Sequence, residues 1–204
     1  MNRNKIGILV AFLVVASLPL AGQGMKLTAF GGYTIQDKAY GYYGDLIIGD
    51  GMHFGGMLSK ELSNNMAVDL TYSYQTTTFG VKDYSSIINP QTGSYSGSVS
   101  YLMIGSTHSP DFSAKIAPYG GIMLGAAIFS AKEIISETWK FAVGGKLGVI
   151  YHVNDKVGIV LQTQLMVPVQ GIGLYVGTGG AGATTTSSAT QLGFTGGLEF
   201  KFGN

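Results

Sequence analysis

The sequence contains no cysteine. That excludes disulfides, thiolate metal sites, a cysteine nucleophile and a lipid anchor attached to a cysteine behind a leader. Charge is scarce as well: Asp, Glu, Lys and Arg make up 11% of the 204 residues, against roughly a quarter in soluble domains. Arg3 and Lys5 are two of the twelve basic residues, and the remaining ten face eleven acidic ones, a net charge of minus one. No basic field exists to attract nucleic acid. Helix-forming segments are missing too, since no stretch beyond residue 24 carries a helical pattern. What the chain has instead is 32 Gly, 12 Tyr and 10 Phe. A chain so poor in charge lacks the solubilising surface for ordinary exposure to water, so its outside must meet something else.

The N-terminus stands apart. Arg3 and Lys5 precede an uncharged apolar run from Ile6 to Leu20, followed by Ala21-Gly22-Gln23-Gly24. A basic start, a short apolar centre and a small-residue end describe a secretory signal peptide. An uncleaved membrane anchor is the alternative, and Pro19 with the small residues after it favours cleavage between Ala21 and Met25. Residues 1–24 are therefore read as a signal peptide and 25–204 as one domain.

That domain divides into runs with a two-residue period, the signature of strands with unlike faces. Strands are expected near 25–35, 47–61, 66–80, 97–108, 115–130, 139–153, 157–170 and 191–202. The gaps at 62–65, 109–114 and 154–156 are short and rich in turn formers. Those at 36–46, 81–96, 131–138 and 171–190 are longer. Strict alternation of long and short gaps is what an up-and-down antiparallel meander produces, with one tight rim and one elaborated rim. Each run is also long enough to cross a bilayer as a tilted strand, which takes about 9–11 residues. The expected fold is all-β: an eight-stranded antiparallel up-and-down transmembrane β-barrel. Closure is required, because hydrocarbon offers an open strand edge no hydrogen-bonding partner.

The faces follow from the alternation. Val157, Ile159, Leu161, Leu165, Val167 and Val169 are expected to face lipid, as are Trp139, Phe141, Val143, Leu147, Val149, Tyr151 and Val153. Met52, Phe54 and Leu58, Met66, Val68, Leu70, Tyr72 and Tyr74, and Leu192, Phe194, Leu198, Phe200 and Phe202 join them. Aromatics near strand ends, among them Tyr33, Trp139, Tyr151, Phe200 and Phe202, suit interfacial girdles. The opposite faces carry Lys26, Thr28, His53, Ser59, Glu61, Asp69, Thr71, Lys140, Lys146, Gln162, Gln164, Glu199 and Lys201. Eight strands leave an interior only wide enough for side chains, so these charges are expected to pair there. Gly144, Gly148, Gly193 and Gly197 would relieve crowding. Residues 115–132 have no charge between their terminal lysines, but sixteen residues of helix span only about 24 Å of a ~30 Å core. A strand with Ala117, Gly121, Met123, Gly125 and Ala127 inward fits better. An exported soluble binder of the lipocalin kind remains open, with the two faces inverted.

With its signal peptide, APYGGIMLGAA, KFAVGGKLGVIYHVND and the ending LGFTGGLEFKFGN, the chain resembles the small outer-membrane β-barrels of Gram-negative bacteria, such as outer-membrane protein X and the membrane domain of outer-membrane protein A. The last run resembles the terminal strand by which such barrels engage the barrel-assembly machinery, closing on Phe202 with Gly203-Asn204 behind it. The resemblance implies a porin-like architecture in the outer membrane, in contact with lipid and lipopolysaccharide. The family hosts different activities, so function does not follow from it.

Sites for chemistry are sparse. Gly177-Thr178-Gly179-Gly180-Ala181-Gly182 has the dinucleotide spacing, but Thr184 to Ser188 follow where a helix N-terminus is required, so a loop is expected. His53, His108 and His152 lack the close ligand spacing of a metal site. His108-Ser109 falls on the tight rim, the wrong side for outer-leaflet lipid chemistry, and no other nucleophile–base pairing stands out. The expectation is no catalytic residue, no cofactor-binding residue, no metal and no cofactor. A structural or surface-interaction role leads; a lipid-modifying enzyme or a narrow channel are the alternatives. Surface partners would meet the loops at 36–46, 81–96 and 171–190; Tyr40, Tyr42, Tyr43, Tyr84 and Tyr95 in the first two can contact a partner, but the upper aromatic belt is the reading favoured for them.

Overall fold

A computed structural model describes residues 24–41, 44–63, 65–83, 92–131, 135–169, 172–177, 180–185 and 190–202. The signal-peptide reading of residues 1–23 lies outside the described residues, as do Tyr42, Tyr43 and Tyr84.

Alternating sequence becomes strand throughout. Among the described residues twelve strands form: β1 (Met25–Thr34), β2 (Asp37–Gly41), β3 (Gly44–Ile48), β4 (Gly51–Ser63), β5 (Met66–Asp83), β6 (Thr92–His108), β7 (Ile116–Ala131), β8 (Ile135–His152), β9 (Val157–Val169), β10 (Ile172–Gly177), β11 (Gly180–Thr185) and β12 (Gln191–Phe202). Eight of them circle the barrel in the order β1, β4, β5, β6, β7, β8, β9 and β12, each antiparallel to its neighbours. Pairing of β1 with β12, from Met25 opposite Phe202 to Thr34 opposite Gly193, closes the ring and leaves no edge.

The long gaps hold more strand than expected. β2 and β3 form a hairpin over 37–48, so Ile47 and Ile48 belong to it rather than to the strand expected at 47–61, and β10 and β11 form another inside 171–190. β5 runs on to Asp83 and β6 begins at Thr92. The first hairpin extends the wall, since β3 pairs with the upper end of β5 and so satisfies its backbone, whereas β10 and β11 pair only with each other as a separate two-stranded sheet. A break at Gly49-Asp50 separates β3 from β4, where Gly49 N–H donates to the Thr78 carbonyl at 2.8 Å. A Cβ on Gly49 would meet the Thr78 hydroxyl at 2.5 Å, so only glycine fits that approach.

The faces lie as the alternation predicts. Leu161 is 60% exposed, Phe194 54% and Leu147 65%, whereas Gln164 is 5% and Lys146 2% exposed. The inverted arrangement of a soluble binder does not occur. The segment at 115–132 is strand β7, with Ala117, Met123 and Ala127 inward and Ile122 and Leu124 outward. In β6 the inward phase is Val99, Tyr101, Met103 and Thr107, and the outward phase Leu102 and Ile104. On β8 the exposed apolar band runs from Trp139 to Tyr151. At ~3.3 Å per residue and a tilt near 40° that is about 30 Å along the barrel axis, the thickness of a hydrocarbon core.

Candidate functional site

Among the described residues, unlike chemistry converges in the lumen. In its tight-rim half, Asp69 on β5 and Lys146 on β8 meet across the barrel at 2.8 Å, both almost fully buried. The Thr107 hydroxyl also donates to Asp69 Oδ2, and Lys146 Nζ reaches Met57 Sδ at 3.1 Å. Lys26 pairs with Glu61 at 2.8 Å and Glu199 at 3.2 Å. Lys201 lies 3.7 Å from Glu61 and His152 Nε2 3.8 Å from Glu199. His152 Nδ1 faces the Ala114 carbonyl at 2.8 Å, so that nitrogen carries the proton. Buried Lys26 and Lys146 therefore balance buried Asp69 and Glu199, and the partly exposed Glu61 and Lys201 balance each other nearer the rim.

A stopper closes this mouth. The turn from Ser109 to Lys115 folds Phe112 inward until its ring lies 5.0 Å from Lys26 Nζ. Phe112 packs with Ala67, Ala117, Tyr119, Ile150 and Val160. Asp111 Oδ1 fixes the turn by accepting from Ser113 N–H at 2.8 Å and Ser113 Oγ at 2.6 Å. Those two bonds hold the Asp111 carboxyl below the usual carboxylate range. Asn65 ties the turn to its neighbour through Ser109 N–H and the Pro110 carbonyl.

Above the ion pairs lies a neutral polar layer. His53 is held between Thr34 Oγ1 at 2.9 Å and Thr195 Oγ1 at 3.0 Å. Tyr101 donates to Gln191 at 2.6 Å in this layer, while lower down, beside the ion pairs, Tyr119 donates to Gln162 at 2.8 Å. Then comes an apolar layer: Ile48, Phe79, Val99, Met103, Met123, Ala127, Ala142 and Met166. Glycines make room for the largest side chains. A Cβ on Gly148 would meet the Tyr119 ring at 2.6 Å, and one on Gly197 would meet Phe30 Cβ at 2.9 Å. The lumen keeps small voids, among them one of about 20 Å³ beside Ser59 and Glu199 and one of about 10 Å³ beside His53 and Gln75. Each is near the size that holds one water.

Comparison with solved structures agrees with this geometry. Neisserial surface protein A is similar at 15% identity and a TM-score of 0.60, over 88% of this chain and 98% of that one. Outer membrane protein OprG from Pseudomonas aeruginosa is similar at 12% identity and 0.59, over 91% and 99%. Outer membrane protein AlkL, solved in lipid bilayers, is similar at 13% identity and 0.53, over 90% and 92%. The chain has the fold of a small outer-membrane β-barrel. No protein-family model and no curated protein matches its sequence.

The barrel distributes the residues singled out from the sequence to different places. His53 is buried in the lumen, His108 is exposed at the end of β6, and His152 is half-buried at the tight rim. Among the described residues no three metal-ligating side chains converge. Ser109 is buried while His108 beside it is exposed, so the two do not form a pair. Of the glycine motif, Gly177 ends β10 opposite Gly180 in β11, so its described residues lie on strands and not at the helix N-terminus that receives a phosphate, and Thr178 and Gly179 lie outside the described residues. Lys26, Asp69, Lys146, Gln164 and Glu199, expected inside, are inside. The alternation did not reveal Phe112, Tyr101 and Tyr119. Phe112 had one signal, a single large apolar residue in an otherwise polar turn, SPDFSA.

Proposed function

We propose that the protein is an integral outer-membrane barrel with a structural or surface-interaction role and no catalysis. The observation that carries this reading is the filled lumen: charges paired inside, Phe112 at one mouth and the Phe79–Met103–Met166 layer towards the other. A barrel packed in this way spends its interior on holding its own wall, which leaves its rims and outer surface for contact with other molecules. Its surroundings are then outer-membrane lipid and lipopolysaccharide, its assembly route the barrel-assembly machinery, and its partner surface the elaborated rim at 36–46, 81–96 and 171–190.

Single-channel recording in planar bilayers tests the reading. The expected result is no steady conductance from wild-type protein. Steady conductance that survives neutralisation of Lys146 and Glu199 would overturn the charge-filled lumen and favour a channel. Outer-membrane lipid composition with and without the gene tests the other alternative. A reproducible gain or loss of one acyl chain would replace this reading with a lipid-modifying enzyme.

A further inference from the structure

The barrel treats its lysines in two ways. Lys26 and Lys146, inside, each have a carboxylate within 3.2 Å. Lys60, Lys115 and Lys156, exposed at the tight rim, have no carboxylate within 4.0 Å among the described residues. The exposed carboxylates of that rim, Asp111 and Asp155, are in turns, and Asp111 is occupied by Ser113.

The surroundings of the three lysines are apolar. Lys60 lies on the lipid-facing side of β4, across from Met25 on one neighbour and Val68 on the other. Leu62 is 63% exposed and Met66 47% at the adjoining turn. Lys115 has its ammonium 5.9 Å from the centre of the Tyr151 ring, a member of the aromatic girdle. Ile116 next to it is 60% exposed. Lys156 follows Val153, 54% exposed, in the β8–β9 turn. Exposed apolar side chains therefore reach to the turns themselves, so the hydrocarbon boundary passes through this rim. A lysine there extends its stem along the apolar wall and delivers its ammonium to the headgroup layer. An ammonium at that depth without an internal counter-ion is complementary to the phosphate of a lipid headgroup.

We infer that Lys60, Lys115 and Lys156 form a collar that binds the phosphodiester groups of anionic phospholipid in the leaflet at the tight rim. The inference rests on the membrane reading above and adds the leaflet, the residues and the headgroup chemistry. The collar also sets the depth of the barrel, because three ammonium groups around the wall hold that rim at the headgroups.

The test uses full-length mature protein in nanodiscs of phosphatidylcholine with a minority of phosphatidylglycerol of identical chains. Gentle detergent extraction and native mass spectrometry then read which lipid stays bound. Wild type is expected to retain phosphatidylglycerol several-fold above its share of the mixture. The K60Q/K115Q/K156Q variant is expected to retain lipid in proportion to the mixture, while Lys140→Gln near the opposite rim keeps the enrichment. A heat-dependent gel shift verifies that each variant is folded. Should the triple variant fail to fold, wild type alone decides: the enrichment must vanish in high salt. Excess inorganic phosphate is expected to reduce it only weakly if the site needs a headgroup held at the membrane surface. Wild type without enrichment, or enrichment indifferent both to the three lysines and to salt, overturns the collar. A wild type that needs no detergent and shows no gel shift overturns the membrane reading itself, so the two failures are distinguishable.

Discussion

The two halves of the lumen are built by opposite means. At the tight rim, β1, β4, β5, β8 and β12 send Lys26, Glu61, Asp69, Lys146 and Glu199 inward, and every one of them finds an opposite charge. Towards the elaborated rim, β6, β7, β8 and β9 send Val99, Met103, Met123, Ala127, Ala142 and Met166 inward, and these pack as an ordinary core. The first half is held by specific partnerships between distant strands, the second by burial of area. A barrel in lipid needs little hydrophobic drive towards its own centre, because its apolar side chains are already satisfied outside. The difference teaches where register is specified. Slipping one strand against its neighbour would separate Asp69 from Lys146, whereas methionines adapt to small shifts.

The largest expected effect comes from breaking a charge pair. Asp69→Ala leaves Lys146 buried with no carboxylate and removes the acceptor for Thr107. A loss of roughly 3–5 kcal/mol is expected from urea unfolding in lipid vesicles. Replacing both partners, as Asp69→Leu with Lys146→Met, should recover most of that loss, since a well-packed apolar pair is often as stable as a buried ion pair. A double variant as unstable as Asp69→Ala would show that the pair contributes more than mutual compensation.

The apolar half should respond to size instead. Met103 is 1% exposed inside its cluster, and Met103→Ala is expected to cost roughly 2–5 kcal/mol through the void it leaves. Its effect should be indifferent to salt. A Met103→Ala penalty that changes strongly with ionic strength would mean that the two halves are not separate.

This contrast also explains what could be read from the sequence. The outward faces of β8, β9 and β12 were legible because lipid on one side and a polar or glycine-rich lumen on the other enforce strict alternation. β6 hid its phase, since Tyr101, Leu102, Met103 and Ile104 are apolar on both sides once the lumen itself is apolar. The inward set Lys26, Asp69, Lys146 and Glu199 was legible as a set. Which of them pair was not, because partners on β5 and β8 meet through the closure and stagger of the whole ring, and no single strand's pattern encodes that. The β2–β3 and β10–β11 hairpins were missed as strands, since the long gaps that hold them show none of the alternation a membrane imposes. Phe112 was missed because a turn residue has no periodicity to betray it.

A smaller effect is expected where a glycine lies under a lumen aromatic. Gly148→Ala would place its methyl 2.6 Å from the Tyr119 ring and 2.7 Å from the Leu161 carbonyl. The ring can turn aside but the carbonyl is part of the wall, so a cost of roughly 1–3 kcal/mol is expected. Adding Tyr119→Ala should relieve only the first of the two collisions. Full rescue by that second change would mean that the wall is softer than its ladder suggests.

The smallest effect concerns the turn that holds the stopper. Asp111 is fully exposed, yet its carboxylate organises the turn carrying Phe112 through two bonds to Ser113. Because those bonds lower its folded pKa below the unfolded value, the stabilisation is fully present above the ordinary carboxylate range. It is lost as pH falls through the lowered value. At neutral pH Asp111→Ala should therefore speed hydrogen exchange at the Ser113 amide and slightly lower the unfolding midpoint, while Asp111→Asn, which keeps an acceptor oxygen, should do less. In acid below the lowered value, wild type and Asp111→Ala should converge. A difference between them that persists there would show that Asp111 organises the turn through contacts that do not need its charge, whereas no difference at neutral pH would show that Asn65 and Phe112 packing hold the turn without it.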